Sequence, residues 1–405
     1  MNRIDQLIQQ MCPDGVAFSS LGSVCLRPTN IKWNLHADET FSYIDLTSVD
    51  RETNSINNTQ MISSENAPSR AQQIVQSDDV LFGTTRPTLQ RYCSIPDQYD
   101  GQICSTGFCV LRADPLNVLP RWIFHQVSSA AFQAYVEDNE HGASYPAISD
   151  ADVKRFRMPV PPLEVQRAIV EILDYFTELE VELEAELEAR RKQYAFYQNH
   201  LINKPGCDEL PLMSLVDIGD WSGGGTPSKG NAAFWRNGTI PWVTSKDMGP
   251  FELEGTEDHI TELAIASCPV KLLHENSIAI EMRSGILKHT LPISLIPFEA
   301  TVNQDIRVVT VRADIFPRYV LHTLRGLSNR ILTTCRKVGG TVESIDTKKL
   351  MAYRIPMPSL ENQRETAEIL DSFTGLEATL EGELTARRKQ YEYYRDKLLT
   401  FKEAA

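Results

Sequence analysis

Residues 189–202, ARRKQYAFYQNHLI, return near the end of the chain as ARRKQYEYYRDKLL at 386–399. The likeness extends upstream, where residues 156–202 align with 353–399 without a gap and more than half of the paired positions are identical. PPLEVQRAIVEILDYF at 161–176 lies over PSLENQRETAEILDSF at 358–373. A duplication of this length constrains the architecture before any local pattern does, because each copy must fold as the same unit. The register continues outside the copied segments only at isolated points. LTS at 46–48 falls on VTS at 243–245, Asp50 on Asp247, Arg86 on Arg283, and Gly142 with Ser144 on Gly339 with Thr341. Elsewhere the halves have little in common. The unit is a variable module of about 155 residues followed by a shared segment, present twice.

The shared segment reads as a long helix. Pro161, Pro162 and Pro358 suit a helix start, where proline's fixed φ fits and its missing donor is not needed. Glu164 and Glu361 follow in the first turn, where the helix dipole favours an anion. Nothing interrupts 163–202, the second copy carries only Gly375 and Gly382 as weak points, and NKPG at 203–206 is a stop signal. Apolar residues recur in steps of three and four through Ile172, Phe176, Leu179, Leu183, Leu187, Tyr194 and Leu201. The second copy repeats this through Ile369, Phe373, Leu376, Leu380, Leu384, Tyr391 and Leu398. This is a heptad seam with one stutter at Leu183–Leu187. So narrow a stripe needs a partner stripe, and the other copy supplies one. Two like units related by a pseudo-two-fold axis would set the helices antiparallel, although a parallel pair or a pairing between chains would bury the same residues. Each helix would be a rod of about 60 Å.

The expected fold is α+β, with two mixed α/β modules separated by two long helices that pair as an antiparallel coiled coil. The expected division is a first module at 1–157, a central helix at 158–203, a second module at 204–354 and a C-terminal helix at 355–405. Strand-type runs include DVLFGTT, FCVLRA, SIAIEMR and IRVVTVRA, and helix-type runs RWIFHQVSSAAFQAYVE and RYVLHTLRGLSNRILTTC. Polar and basic residues gather in the loops TTRPTLQR, SGGGTPSKGN, RSGILKHT and RKVGGTVES, where recognition tends to sit.

The formal charge is −14, which by itself argues against tight, unaided binding to nucleic acid. More than half of it lies on the two helical copies, largely in ELEVELEAELEAR, while the second module is close to neutral. The eight cysteines show no CxxC and no zinc-finger spacing, and read as reduced core residues. No apolar run is long enough for a bilayer span and the N-terminus lacks a signal-peptide pattern, so a cytoplasmic protein is expected. No dinucleotide fingerprint, nucleophile elbow, HExxH or adenine-methyltransferase NPPY/F pattern occurs. GGGTPSKG at 223–230 misses the phosphate-loop spacing, which leaves a loop between elements or a close backbone approach to something. The histidines are dispersed, and no catalytic, cofactor or metal site is expected.

A duplicated variable module plus shared helix, with LEVQR or LENQR and then EILD opening each helix, resembles the DNA specificity subunit of type I restriction–modification enzymes. GGTPS at 224–228 and IPWVTSKDM at 240–248 are similar to the opening of that family's target recognition domains. The first module reads RPTNIKWNLHADETFSYIDLTSVD instead. The resemblance implies a subunit with no catalytic activity and no cofactor of its own. It implies double-stranded DNA as ligand, each module reading one half of a bipartite site, and paired helices that fix the gap and dock two methyltransferase subunits. S-adenosylmethionine, ATP and Mg2+ would belong to those subunits and to the restriction translocase–nuclease subunits. A coiled-coil scaffold without DNA selectivity is the alternative.

Arg86 and Arg283 occupy equivalent loops after strand-type runs, and arginine is the usual bidentate reader of guanine. Thr84, Gln90, Arg91, Lys229, Lys288 and Lys337 are further candidates for base or phosphate contact. Ser144 and Thr341 share an equivalent small polar loop, and Thr226 and Ser228 lie in the GGTPS opening.

Overall fold

A computed structural model describes residues 3–202, 210–337 and 342–404. Thr341, Gly339 and the NKPG stop lie outside them. The chain forms two compact units, residues 1–185 with 381–405, and residues 186–380. Each holds one variable module and part of both long helices, Leu163–Ile202 and Leu360–Leu398.

The helix starts explain the repeated LExQR. Gln166 is fully buried; its amide donates to the Pro161 carbonyl at 2.8 Å and accepts the Leu119 N–H at 2.9 Å. Gln363 does the same with Pro358 at 2.9 Å and Phe316 at 2.8 Å. Each glutamine thus satisfies backbone groups where its helix leaves the module.

In the first unit, a five-stranded sheet runs in the order Thr29–Asn30, Ala71–Ile74, Ile103–Ser105, Thr40–Ile44, Gln60–Ser63. Only the pairing of Ile103–Ser105 with Thr40–Ile44 is parallel. A four-stranded antiparallel sheet runs Cys25–Leu26, Phe108–Ala113, Val80–Gly83, Tyr92–Ser94. In the second unit, a four-stranded antiparallel sheet runs Gly219–Gly223, Ile306–Val311, Ser277–Glu281, Ile293–Ile296, beside a three-stranded sheet of Asp258–Ile260, Ile240–Val243 and Thr301–Val302. Beneath these sheets the helices Pro120–Val127 and Pro317–Gly326 carry the largest buried rings. Trp122 donates to the Pro159 carbonyl and the Tyr319 hydroxyl to that of Pro356, both at 3.0 Å. Truncating either ring to alanine removes roughly 3–5 kcal/mol of packing by general measure.

Within the first unit the long helices run antiparallel: Phe176 stacks on Tyr394 at 5.7 Å, and further along the central helix Glu184 pairs with Arg388. Tyr391 and Leu399 join this unit's core. In the second unit Tyr197 stacks on Phe373 at 5.2 Å. Leu187, Leu384 and Tyr391 are buried, and Phe176, Leu179, Leu183, Tyr194, Leu201, Phe373, Leu380 and Leu398 half-buried. Ile172, Ile369 and Leu376 are more open, at 39%, 45% and 39% exposed. At the helix starts the inward face belongs to the module instead: Val165, Ile169 and Leu173, and in the second copy Ala367 and Leu370, are fully buried. Ile172 and Ile369 stand one residue, about 100° of helix rotation, off that face.

Candidate nucleic-acid interface

Each module is clamped to the helices by the same four side chains. In the first unit, His125 is fully buried, its Nε2 at 2.8 Å from Asp174 and its Nδ1 at 3.0 Å from the Tyr391 hydroxyl. Arg121 Nε donates to the same Asp174 at 2.8 Å. In the second, His322 lies 2.8 Å from Asp371 and 3.0 Å from the Tyr194 hydroxyl, and Arg318 Nε donates to Asp371 at 2.6 Å. Burial raises the Asp174 carboxyl, but bonds from His125 and Arg121 outweigh it and hold the group below its ordinary value. An ionised carboxylate can only accept, so Nε2 carries the proton and Nδ1 accepts from the tyrosine. Burial pushes both histidines below their ordinary value, which fits the neutral ring. The network holds the scaffold.

From that scaffold the strand Val80–Gly83 delivers the loop 84–91. Thr84 is buried and its hydroxyl donates to the Gly107 carbonyl at 2.9 Å; Arg91 Nη1 donates to the Leu46 carbonyl at 2.7 Å. Both are committed to the scaffold here. Between them Arg86 and Gln90 are left-handed, with φ of 49° and 50°, on either side of the short helical turn Pro87–Leu89. Non-glycine residues persist there only when their surroundings over-determine the backbone, at a cost of order 1–3 kcal/mol each. The second loop, 141–147, does so. The Arg86 N–H donates to the Pro146 carbonyl at 2.7 Å and the Ile148 N–H to that of Thr84 at 2.9 Å. Reciprocal bonds of 2.8 and 2.9 Å between His141 and Ala147 close the loop. Gly142 turns it at φ 104°, where a side chain would also meet the Tyr145 carbonyl. Arg86 and Ser144 are exposed on these zipped loops, with Gln90 half-buried on the first.

The second module repeats the scheme with different residues. Arg283 bridges Ser344, the Ile345 N–H donates to the Met282 carbonyl at 2.8 Å, and the Lys337 N–H to that of Ser344 at 2.9 Å. Exposed Arg283 and Lys337 therefore sit on adjoining loops, and exposed Lys288 ends the turn Gly285–Lys288. Thr226 is hydrogen-bonded to Gln304, and the Met282 N–H donates to the neighbouring Asp305 carbonyl at 2.7 Å. Ser228 and Lys229 are exposed, with the Ser228 carbonyl taking the Trp235 indole N–H at 3.0 Å. The close approach made by the glycine-rich loop is to protein: a Cβ on Gly224 would fall 1.8 Å from the Val302 carbonyl oxygen. Two residues before Arg283, Glu281 is fully buried; one oxygen accepts from Ser245 at 2.9 Å and burial pushes its carboxyl up to about 7.

Sequence reasoning missed the clamp and Tyr145. The clamp had a signal, the Arg-x3-His shared by RWIFH and RYVLH in the same register as the repeat. Tyr145 had none, since its counterpart is Val342. Among the described residues no group of three or more His, Cys, Asp or Glu could hold a metal, and no helix is long and apolar enough to cross a membrane. The described cysteines are free, and burial raises the thiols of Cys93, Cys104 and Cys109.

The family described as the type I restriction modification DNA specificity domain matches residues 13–190 and again 209–386. The type I restriction enzyme EcoR124I/EcoR124II specificity subunit of Escherichia coli is 44% identical over 264 residues, 63% of this chain and 65% of that protein. The chain thus spans just under two thirds of that relative. A solved chain from a type I R-M system, described for its complex assembly and conformational transition, superposes with a TM-score of 0.64 at 26% identity over 96% of this chain and 98% of that one. The type I restriction-modification S subunit from M. genitalium shares the fold, with a TM-score of 0.59 at 14% identity over 95% and 96% of the two chains. With one family domain repeated over most of its length, each copy anchored by the same clamp, this chain belongs to the type I restriction modification DNA specificity family.

Proposed function

We propose that this chain is the DNA specificity subunit of a type I restriction–modification complex, each variable module reading one half of a bipartite duplex site. The observation that carries the reading is a single family domain matched twice, at 13–190 and 209–386, with one clamp and two different sets of exposed loops. Equivalent anchors suit equivalent neighbours; unlike loops suit unlike half-sites. The helices set the gap between half-sites and dock two methyltransferase subunits, whose equivalence follows from the pseudo-symmetry. The chain itself does no chemistry. S-adenosylmethionine is used by the methyltransferases, and ATP with Mg2+ by the restriction translocase–nuclease subunits, all in the cytoplasm. An acidic chain suits this role because flanking subunits supply the remaining phosphate contacts that hold DNA.

A scaffold without DNA selectivity would explain the helices but not two divergent modules on near-identical anchors. The chain copurified with its methyltransferase and titrated against duplexes altered in one half-site or the other separates the two readings. The proposal expects each half-site to matter independently, and Arg283→Ala to lose about tenfold discrimination at one half-site, the scale of a bidentate base contact, with assembly intact. A complex indifferent to DNA sequence would leave only the scaffold.

A further inference from the structure

We infer that Tyr145 is a positioning residue for specificity in the first module: its ring presets the Arg86 guanidinium for reading the first half-site. This rests on the proposed reading of the modules. Tyr145 is 73% exposed, so burial does not account for it. Nor is it a loose tip, because the carbonyl of the next residue, Pro146, accepts the Arg86 N–H and its own loop is closed at His141 and Ala147. The Arg86 guanidinium carbon lies 5.0 Å from the centre of the ring. That distance is within the range of a cation–π contact.

Two constraints therefore act on one arginine. The left-handed backbone at Arg86 fixes the direction in which the side chain departs. The ring holds the guanidinium beside it at that distance, and a guanidinium resting its face on a ring keeps for DNA the edge N–H groups that address the O6 and N7 of guanine. An arginine stacked in this way gives up its rotamer freedom before DNA arrives, so less is lost on binding. Among the described residues the second module shows no ring over Arg283. Its equivalent residue is Val342, which has no π face, and beside it Arg336 is paired with Glu343 at 2.8 Å. Tyr145 should therefore matter at one half-site only.

The test uses the whole chain with its methyltransferase and a duplex carrying the site identified from genomic methylation. Competition binding and methylation rates are compared for that duplex and for duplexes with single-base changes in each half-site. Tyr145→Leu keeps apolar bulk without the π face and is expected to lower discrimination at the first half-site about two- to fivefold. Discrimination at the second half-site stays unchanged, and Tyr145→Phe behaves as the unmodified protein. A Leu variant without effect, an equal loss at both half-sites, or a Phe variant as poor as Leu overturns the inference. Arg86→Ala separates the two levels. If it leaves first-half-site discrimination intact, the assignment of Arg86 falls and this inference with it. If Arg86→Ala erodes discrimination and Tyr145→Leu does not, the inference alone falls.

Discussion

His125 and His322 illustrate how residue chemistry works twice in this chain. Each is fully buried and each joins an aspartate near the start of one long helix to a tyrosine near the end of the other. Because burial lowers the folded-state pKa below the ordinary value of 6.5, the unfolded chain takes up protons more readily as pH falls. The neutral rings therefore contribute their full stability above about pH 6.5 and lose it as pH drops below that value. Glu281 acts in the opposite sense, since a carboxyl raised to about 7 favours the folded state as pH falls from 7 toward 4.5. The histidine contribution is thus read as a difference: chemical denaturation of His125→Gln should show a shallower loss of stability from pH 7 to pH 5 than the unmodified protein. Identical slopes would remove the role assigned here. Asp174→Ala, which strips the acceptor from His125 and Arg121, should cost about 1–3 kcal/mol at pH 7. The Arg-x3-His pattern was legible, but its meaning was not, because Tyr391 lies 266 residues from His125 in the chain.

At the scale of elements, the most legible pieces were those whose local chemistry and packing agree. The prolines before Leu163 and Leu360 and the apolar steps after them gave both long helices. The apolar runs gave Val80–Gly83 and Ser277–Glu281, buried throughout, and Ile306–Val311, buried at half of its residues. Short strands such as Thr29–Asn30, exposed at both residues, carry no such signal and are held by pairing to Ala71–Ile74. At Ile172 and Ile369 periodicity alone cannot say which neighbour a helix faces, and the module takes the adjoining face there. Thr84 and Arg91, named as candidate DNA contacts, each donate to a protein carbonyl, since a polar loop residue can serve a carbonyl as readily as a base. On the proposed reading the central helix is a spacer, and its stutter at Leu183–Leu187 is a place where length can change. Four residues inserted there add about 6 Å of helix, against about 3.4 Å of duplex per base pair. The gap in the methylated motif should widen by one or two base pairs with both half-sites unchanged; an unaltered gap would count against the spacer role.

For the whole molecule, the duplication connects sequence to function. It places one clamp in each unit and leaves the loops that carry Arg86 and Tyr145, and Arg283 and Ser344, free to differ; on the proposed reading this makes two unlike readers from one design. On the proposed reading the net charge of −14 is compatible with this, because each module needs only a few contacts when partner subunits help hold the duplex. The central claim is that this chain, and no other component, chooses the sequence. Its most direct test is a genome-wide adenine-methylation map of a host carrying the cognate methyltransferase with this chain, set against the same host with the methyltransferase alone. The account predicts a bipartite motif, two defined half-sites around a fixed gap, present only with the chain. A stable complex of the two proteins that methylates no such motif, or the same motif in both hosts, would contradict it.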